Sequence, residues 1–156
     1  FSKTISPNIR VGYLAAPPDL LEDLAQLKMI SGLTSSEFTE RLAYGALMDG
    51  RWRKHLKGLR ERLQRAHAQV AQGLLELGFT LFSEPKAGMF LWACHPELPD
   101  PTELAYKAGE HDILLGPGAL FNLDMGPSPW MRMNVAFCED PAVFGFLQAQ
   151  LHAARR

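Results

Sequence analysis

Residues 51–78 read RWRKHLKGLRERLQRAHAQVAQGLLELG, and this stretch decides the fold. Its apolar residues recur at steps of three and four, a spacing that predicts one long amphipathic helix. Gly78 is placed to end that helix, because glycine readily adopts the left-handed conformation of a helix C-cap. The apolar positions are Leu56, Leu59, Leu63, Ala66, Val70, Leu74 and Leu77.

After Gly78 the pattern changes to short apolar runs separated by Gly- and Pro-rich breaks. We predict strands near residues 79–82, 89–93, 113–115 and 130–137, with helices at residues 101–109 and from Asp140 onward. The order is a long helix followed by β-β-α-β-β-α. It predicts an α/β fold in which a long amphipathic helix precedes a small, mostly antiparallel sheet packed with helices.

Upstream of the long helix the sequence predicts a short strand at residues 11–16 and two helices. The first helix begins near Asp19, which is a candidate N-cap, and carries leucines at helical spacing. The second follows Thr34-Ser35-Ser36-Glu37, which has the form of a capping box.

Composition limits the classes of function. A net charge of −1 over 156 residues argues against a general binder of nucleic acid or of membrane surfaces. Seven of the 16 Lys and Arg residues lie between Arg51 and Arg65. We interpret this basic run as the solvated face of the long helix, because its apolar face needs a core.

No apolar run approaches the ~18–20 residues that cross a bilayer. The two cysteines and five histidines lack metal-ligand spacing, and a reduced cytoplasm fits best.

Lys3 and Arg10 are the first candidate site residues. A lysine amine can form an imine with an aldehyde, and an arginine fork can bind phosphate oxygens through paired, charge-assisted hydrogen bonds. Taken alone, each has a simpler explanation, as a solvated lysine or as an ordinary arginine before a strand.

Arg132 is the third candidate. In the predicted strand 130–137, alternation places Met131, Met133, Val135 and Phe137 on one face and Arg132, Asn134, Trp130 and Ala136 on the other. An arginine beside aromatic and small residues can bind a carboxylate in a partly dry cleft. The alternative is an arginine on a solvated sheet face. The triplet Gly116-Pro117-Gly118 either lets the backbone approach a ligand closely or forms a plain turn.

Six segments, taken together and in order, carry a family resemblance. They resemble the C-terminal part of a fold-type I, pyridoxal phosphate (PLP)-dependent aminotransferase of class I/II. More narrowly, they resemble the aminotransferase-like domain of the MocR-type regulators of the GntR superfamily. The segments are residues 1–13 with Phe1-Ser2-Lys3-Thr4, Pro7, Arg10 and Gly12-Tyr13, then residues 34–42, 50–60, 85–92, 114–121 and 132–137.

The resemblance implies a role for each candidate. Lys3 matches the catalytic lysine that attaches PLP, Arg10 the arginine on the cofactor phosphate, and Arg132 the arginine that binds the substrate α-carboxylate. Residues 1–50 would be the tail of the large PLP-binding domain, and residues 51–156 the interdomain helix and the small C-terminal domain. The family's other cofactor contacts would precede Phe1, so we expect the isolated chain to be inactive.

Three functions follow as hypotheses. The first is the effector- or PLP-sensing domain of a MocR-type transcriptional regulator, dimeric and cytoplasmic, which binds an amino acid or amino compound. Such a regulator would bind DNA only through a winged-helix domain upstream of Phe1. The second is part of a catalytic class I/II aminotransferase. The third is an inert structural domain.

Overall fold

The computed structural model describes residues 1–85 and 87–154, without the Ala154 side chain. The chain falls into two structural units, residues 1–59 and residues 60–156. The first unit contains a 3₁₀ turn at Pro7–Ile9, helix α1 at Pro18–Gly32, helix α2 at Glu37–Met48 and the beginning of helix α3. Helix α3 runs from Arg51 to Glu76, so the long helix predicted from the sequence is present.

The predicted strand at residues 11–16 is absent from the first unit. This segment has no regular secondary structure and is followed directly by Pro17 and α1. Tyr13 and Leu14 are exposed. A short run of β-forming residues becomes a strand only when a neighbouring strand satisfies its backbone groups, and no described segment pairs with this one.

The N-terminal caps of α1 and α2 differ from those predicted from the sequence. Helix α1 begins at Pro18, one residue before the expected cap Asp19, which instead lies in the first turn. The capping box at residues 34–37 does not form, because α2 begins at Glu37 and Thr34 lies two residues before its N-cap. The Thr34 hydroxyl donates to the Ser35 carbonyl oxygen at 3.2 Å. Ser36 is the N-cap of α2, without a side-chain hydrogen bond.

The second unit is built on a four-stranded sheet. Its strands are β1 at Thr80–Leu81, β2 at Phe90–Cys94, β3 at Gly116–Pro117 and β4 at Trp130–Asn134. The order across the sheet is β1-β2-β4-β3, and each neighbouring pair is antiparallel. Helices α4 (Thr102–Gly109), α5 (Val135–Cys138) and α6 (Pro141–Ala154) complete the unit. This arrangement confirms the predicted α/β class with a small antiparallel sheet packed with helices.

One face of the sheet forms the hydrophobic core. Alternate residues of the two central strands, Leu91 and Ala93 in β2 and Met131 and Met133 in β4, are fully buried. They share one cluster with the C-terminal part of the predicted apolar face of α3 and with residues of α4 and α6. Helices α3 and α6 approach closely at Gly73, where an added methyl group would overlap the Phe144 ring. The buried members from the three helices are Ala66, Val70, Leu74, Leu104, Ala108, Val143, Phe146, Leu147 and Leu151.

All four predicted strands differ at their ends from the observed ones, β1 and β2 by one residue and the other two by more. The strand expected at residues 113–115 is found directly after that segment, at Gly116–Pro117. The strand expected to reach Phe137 ends at Asn134, whose side chain accepts a hydrogen bond from the Ala136 N–H at 3.2 Å and caps α5. The alternation therefore stops, and Phe137 is 75% exposed rather than part of the core face.

The two cysteines are both free. Cys138 is in the core, and burial raises the pKa of its thiol. Cys94 is half-buried at the end of β2. In the part of the chain that the structure describes, no helix combines the length and apolarity required to cross a membrane.

The end of α3 is fixed by a Schellman motif. The Phe79 N–H donates to the Leu74 carbonyl oxygen at 2.9 Å and the Gly78 N–H to the Leu75 carbonyl oxygen at 3.0 Å. Gly78 adopts φ +90°, as predicted for a C-cap glycine. A side chain there would also approach His95, whose Nε2 atom lies 3.1 Å from the position of an added methyl carbon.

We expect Gly78→Ala to lower the free energy of unfolding by about 1–2 kcal/mol, because alanine is strained in the left-handed region. Gly145→Ala, in the interior of α6 with open space around the added methyl, is the matched control. It should raise the free energy of unfolding by roughly 0.5–1 kcal/mol. Urea unfolding followed by circular dichroism measures both, and equal effects of the two substitutions would contradict this account of the helix end.

Candidate functional site

Arg132 lies in β4 on the sheet face opposite the hydrophobic core. Its cross-strand partners are Trp92 in β2 and Gly116 in β3. The guanidinium carbon lies 4.5 Å from the centre of the Phe90 ring and 4.5 Å from the centre of the Phe121 ring. We call this arrangement the Phe90–Arg132–Phe121 stack. Each contact is within cation–π distance.

Further aromatic residues extend the stack across the open face of the sheet. The Phe121 ring meets Trp92 edge to face, with centroids 5.3 Å apart and planes at 82°. Phe82 and Trp130 form a second edge-to-face pair at 5.3 Å and 84°. Edge-to-face pairs are the favoured geometry of aromatic side chains, so each pair restrains both rings. Arg132 is therefore a cation on an aromatic surface.

The Arg132 guanidinium has the donor geometry to bind an external anion. Across residues 1–85 and 87–154 its side chain forms no ion pair or side-chain hydrogen bond. Its side chain is exposed, while two rings flank the guanidinium. A guanidinium carries its five N–H donors in its plane, and this fork matches the two oxygens of a carboxylate. The arrangement fits a bidentate carboxylate ligand.

Within the triplet Gly116-Pro117-Gly118, Gly118 permits a close contact inside the chain. An added methyl carbon on Gly118 would lie 2.5 Å from the Trp130 carbonyl oxygen and would also collide with the Ser128 hydroxyl. Gly118 begins the 3₁₀ turn that ends at Phe121. Its missing side chain thus lets this turn pack against the start of β4. That packing places Phe121 beside Arg132.

Lys3 and Arg10 lie in one short segment of the first unit. Lys3 is in a turn closed by the N–H groups of Thr4 and Ile5, which donate to the Phe1 carbonyl oxygen at 3.1 and 2.9 Å. The following 3₁₀ turn is capped by the Ser6 hydroxyl, which accepts from the Asn8 N–H at 3.3 Å.

The side chains of Lys3 and Arg10 are exposed, and neither forms an ion pair within the described ranges 1–85 and 87–154. Arg10 has φ 49° and ψ 33°, a left-handed conformation that is uncommon for a residue other than glycine. Ile9 beside it is buried and anchors the segment. Residues held in sparsely populated backbone conformations cluster at active sites and ligand-binding sites.

Lys3 and Arg10 thus belong to the first structural unit and Arg132 to the second.

Phe90 and Phe121 were not predicted from the sequence as site residues. Phe90 could have been found, because it is two residues before Trp92 and so shares a strand face with it. Phe121 is the last residue of a turn, and no periodic signal in the sequence relates it to β4.

Comparisons with known proteins agree on one family. The family model described as aminotransferase class I and II matches residues 1–148. An uncharacterized HTH-type transcriptional regulator of Bacillus subtilis, YisV, is 29% identical over 78% of this chain and 26% of its own length. Aromatic-amino-acid aminotransferase 1 of Thermococcus litoralis is 26% identical over 92% of this chain and 35% of its own length.

Solved structures show the same fold. The α-aminoadipate aminotransferase of Thermus thermophilus, complexed with N-(5'-phosphopyridoxyl)-L-leucine, superposes with a TM-score of 0.81 at 23% identity. The superposition covers 99% of this chain and 40% of that enzyme. The chain thus spans about a quarter to a third of the length of the two curated relatives above.

The close packing at Gly118 generates a prediction for the site. Gly118→Ala should lower the free energy of unfolding by about 1–3 kcal/mol, because the backbone of the turn must shift. Gly116→Ala is the control, since its added methyl would lie 3.4 Å from the Arg132 Cβ, an ordinary contact distance. We expect its effect to stay within about 0.5 kcal/mol. Urea unfolding measures both, and a destabilisation by Gly116→Ala as large as that by Gly118→Ala would refute this account.

Proposed function

Because the chain belongs to the class I and II aminotransferases, we propose that it supplies three ligand-binding residues of a PLP site within a longer protein of that family. The observation that carries the proposal is the Phe90–Arg132–Phe121 stack, in which an arginine without an acidic partner in the described chain is held on an aromatic surface. We refer to the longer protein below as the parent protein.

Lys3 and Arg10 of the first unit carry the chemical groups that can bind a phosphorylated aldehyde. Lys3 offers an exposed amine and Arg10 an exposed guanidinium, and both are free of ion pairs within residues 1–85 and 87–154. We assign Lys3 to the attachment of PLP and Arg10 to its phosphate. When bound, PLP supplies an electron sink for the carbon that carries the amino group. The Lys3 Nζ atom would then move the proton of that carbon.

Arg132 is assigned to the α-carboxylate of an amino acid. A bidentate pair fixes the direction of the carboxylate as well as its position. Orienting a bound amino acid is a large part of what such a site does, because correct orientation removes an entropic barrier from the reaction. The same contact would serve a sensor, which must also bind the amino acid.

The domain organisation that goes with this proposal follows the family. Residues 1–50 would be the tail of the large PLP-binding domain, and residues 51–156 the interdomain helix and the small C-terminal domain. The parent protein would be a cytoplasmic homodimer, and the separate 156-residue chain would be inactive.

The parent protein is, in our first proposal, a MocR-type transcriptional regulator whose aminotransferase-like domain senses an amino acid, an amino compound or PLP itself. Similarity to an HTH-type regulator favours it. Such a protein would bind DNA through a winged-helix domain.

The second candidate is a catalytic amino-acid aminotransferase, favoured by the presence of Lys3, Arg10 and Arg132 together and by similarity to an aminotransferase. Multiple-turnover formation of a 2-oxo acid by the PLP-loaded parent protein, measured beside its binding to promoter DNA, distinguishes the two.

Arg10→Ala in the parent protein should weaken PLP binding roughly ten- to a hundredfold, because a charged hydrogen bond contributes about 1.5–3 kcal/mol. Arg10→Gly should weaken PLP binding by the same factor as Arg10→Ala. Its free energy of unfolding should be about 1 kcal/mol higher than that of Arg10→Ala, because glycine relieves the left-handed strain. Dialysis against PLP and urea unfolding measure the two effects. PLP affinity equal to that of the unmodified protein in both variants would disprove the phosphate assignment.

Arg132→Lys in the parent protein should weaken amino-acid binding at least about tenfold while PLP loading and folding stay intact, because lysine keeps the charge but loses the planar fork. Titration of the PLP absorbance with the twenty L-amino acids measures the affinity. Arg41→Lys is the matched control, an arginine ion-paired to Glu37 on α2. An unchanged affinity in Arg132→Lys for each amino acid that binds would disprove the carboxylate assignment.

A further inference from the structure

The two rings of the Phe90–Arg132–Phe121 stack come from opposite sides of the strand that carries Arg132. Strand β4 lies between β2 and β3 in the sheet. Phe90 belongs to β2, and Phe121 ends the turn that begins directly after β3. Each ring centre is 4.5 Å from the guanidinium carbon. Arg132 is thus in contact with a ring from each neighbouring segment.

We infer that Phe90 and Phe121 are positioning residues, which hold the Arg132 guanidinium so that its N–H groups are presented to the ligand carboxylate. This inference rests on the proposed function of Arg132. It assigns to two further side chains a role in carboxylate affinity, exercised through Arg132 and without contact with the reacting atoms.

The exposure of the rings separates this role from ordinary core packing. Phe90 is 38% exposed and Phe121 is 45% exposed, and neither belongs to the buried core cluster on the other face of the sheet. Two half-exposed rings on an open sheet face contribute little to a core. Their shared neighbour is Arg132, for which each provides a cation–π contact.

Both rings are themselves restrained, so they can restrain Arg132 in turn. Phe90 is fixed by the β2–β4 register, in which it pairs with Asn134. Phe121 is fixed by its edge-to-face contact with Trp92, at 5.3 Å, and by the tight turn that starts at Gly118. Holding an arginine in one rotamer before the ligand arrives lowers the entropy lost on binding.

The experiment measures the PLP-loaded parent protein with two probes. One is the amino acid that binds most tightly among the twenty, and the other is the corresponding amine that lacks the carboxylate. Phe90→Leu and Phe121→Leu remove the ring and keep an apolar side chain, whereas Phe90→Tyr and Phe121→Tyr keep the ring. Phe137→Leu, at a ring that is 75% exposed on α5, is the control.

We expect each leucine variant to weaken amino-acid binding about two- to fivefold, the range given by one exposed cation–π contact. The tyrosine variants and Phe137→Leu should retain the affinity of the unmodified protein, and binding of the amine should not change in any variant. In an Arg132→Ala background, where residue 132 carries no cation, the leucine substitutions should have no further effect, because they act through Arg132.

The contrary outcomes distinguish the carboxylate assignment of Arg132 from the positioning role of Phe90 and Phe121. If Arg132→Lys weakens amino-acid binding but the leucine variants do not, the positioning role is wrong and the function of Arg132 stands. If a leucine variant weakens the amine and the amino acid equally, its effect is general damage to the domain, and the positioning role is again wrong. If neither Arg132→Lys nor the leucine variants affect the amino acid, the carboxylate assignment fails, and the inference fails with it.

Discussion

The antiparallel pairing of β2 with β4 is the interaction on which the rest of the second unit depends. Each strand alternates its side chains between two faces, so one register decides both what is buried and what is presented. Leu91, Ala93, Met131 and Met133 enter the core, and Trp92 and Arg132 stand opposite each other on the other face. A slip of one residue would bury the arginine and expose the methionines. The core burial that stabilises the sheet therefore also fixes the orientation of the proposed carboxylate-binding residue.

The sequence allowed some of these features to be predicted because they depend on local periodicity. The apolar spacing of α3 follows from a period of 3.6 and the outward position of Arg132 from a period of 2. The left-handed cap at Gly78 follows from the conformational freedom of glycine. The inward position of Phe137 was wrong, because Asn134 caps a short helix and ends the alternation. Phe121 could not be placed from the sequence, because its contact with Arg132 depends on how a turn packs around Gly118.

In the first unit, too, features set by the local sequence could be predicted and features set by tertiary contacts could not. The helices α1 and α2 were expected from apolar spacing, although their exact starts were not, because proline and hydroxyl side chains offer several alternative caps. The strand expected at residues 11–16 did not form, since pairing depends on a neighbour that a periodic pattern does not specify. Lys3 and Arg10 were selected by chemical type and family resemblance. Their exposure and the left-handed backbone of Arg10 became visible only in the structure.

The central claim is that three residues of this chain bind three parts of one PLP–amino acid pair. A crystal structure of the parent protein with a phosphopyridoxyl–amino acid conjugate tests it most directly. The account predicts the conjugate's carboxylate within hydrogen-bond distance of the Arg132 guanidinium, its phosphate on Arg10, and the Lys3 amine next to the carbon that joins the two halves. A carboxylate bound by a different residue, with Arg132 still flanked by Phe90 and Phe121 and contacting no ligand, would contradict the account.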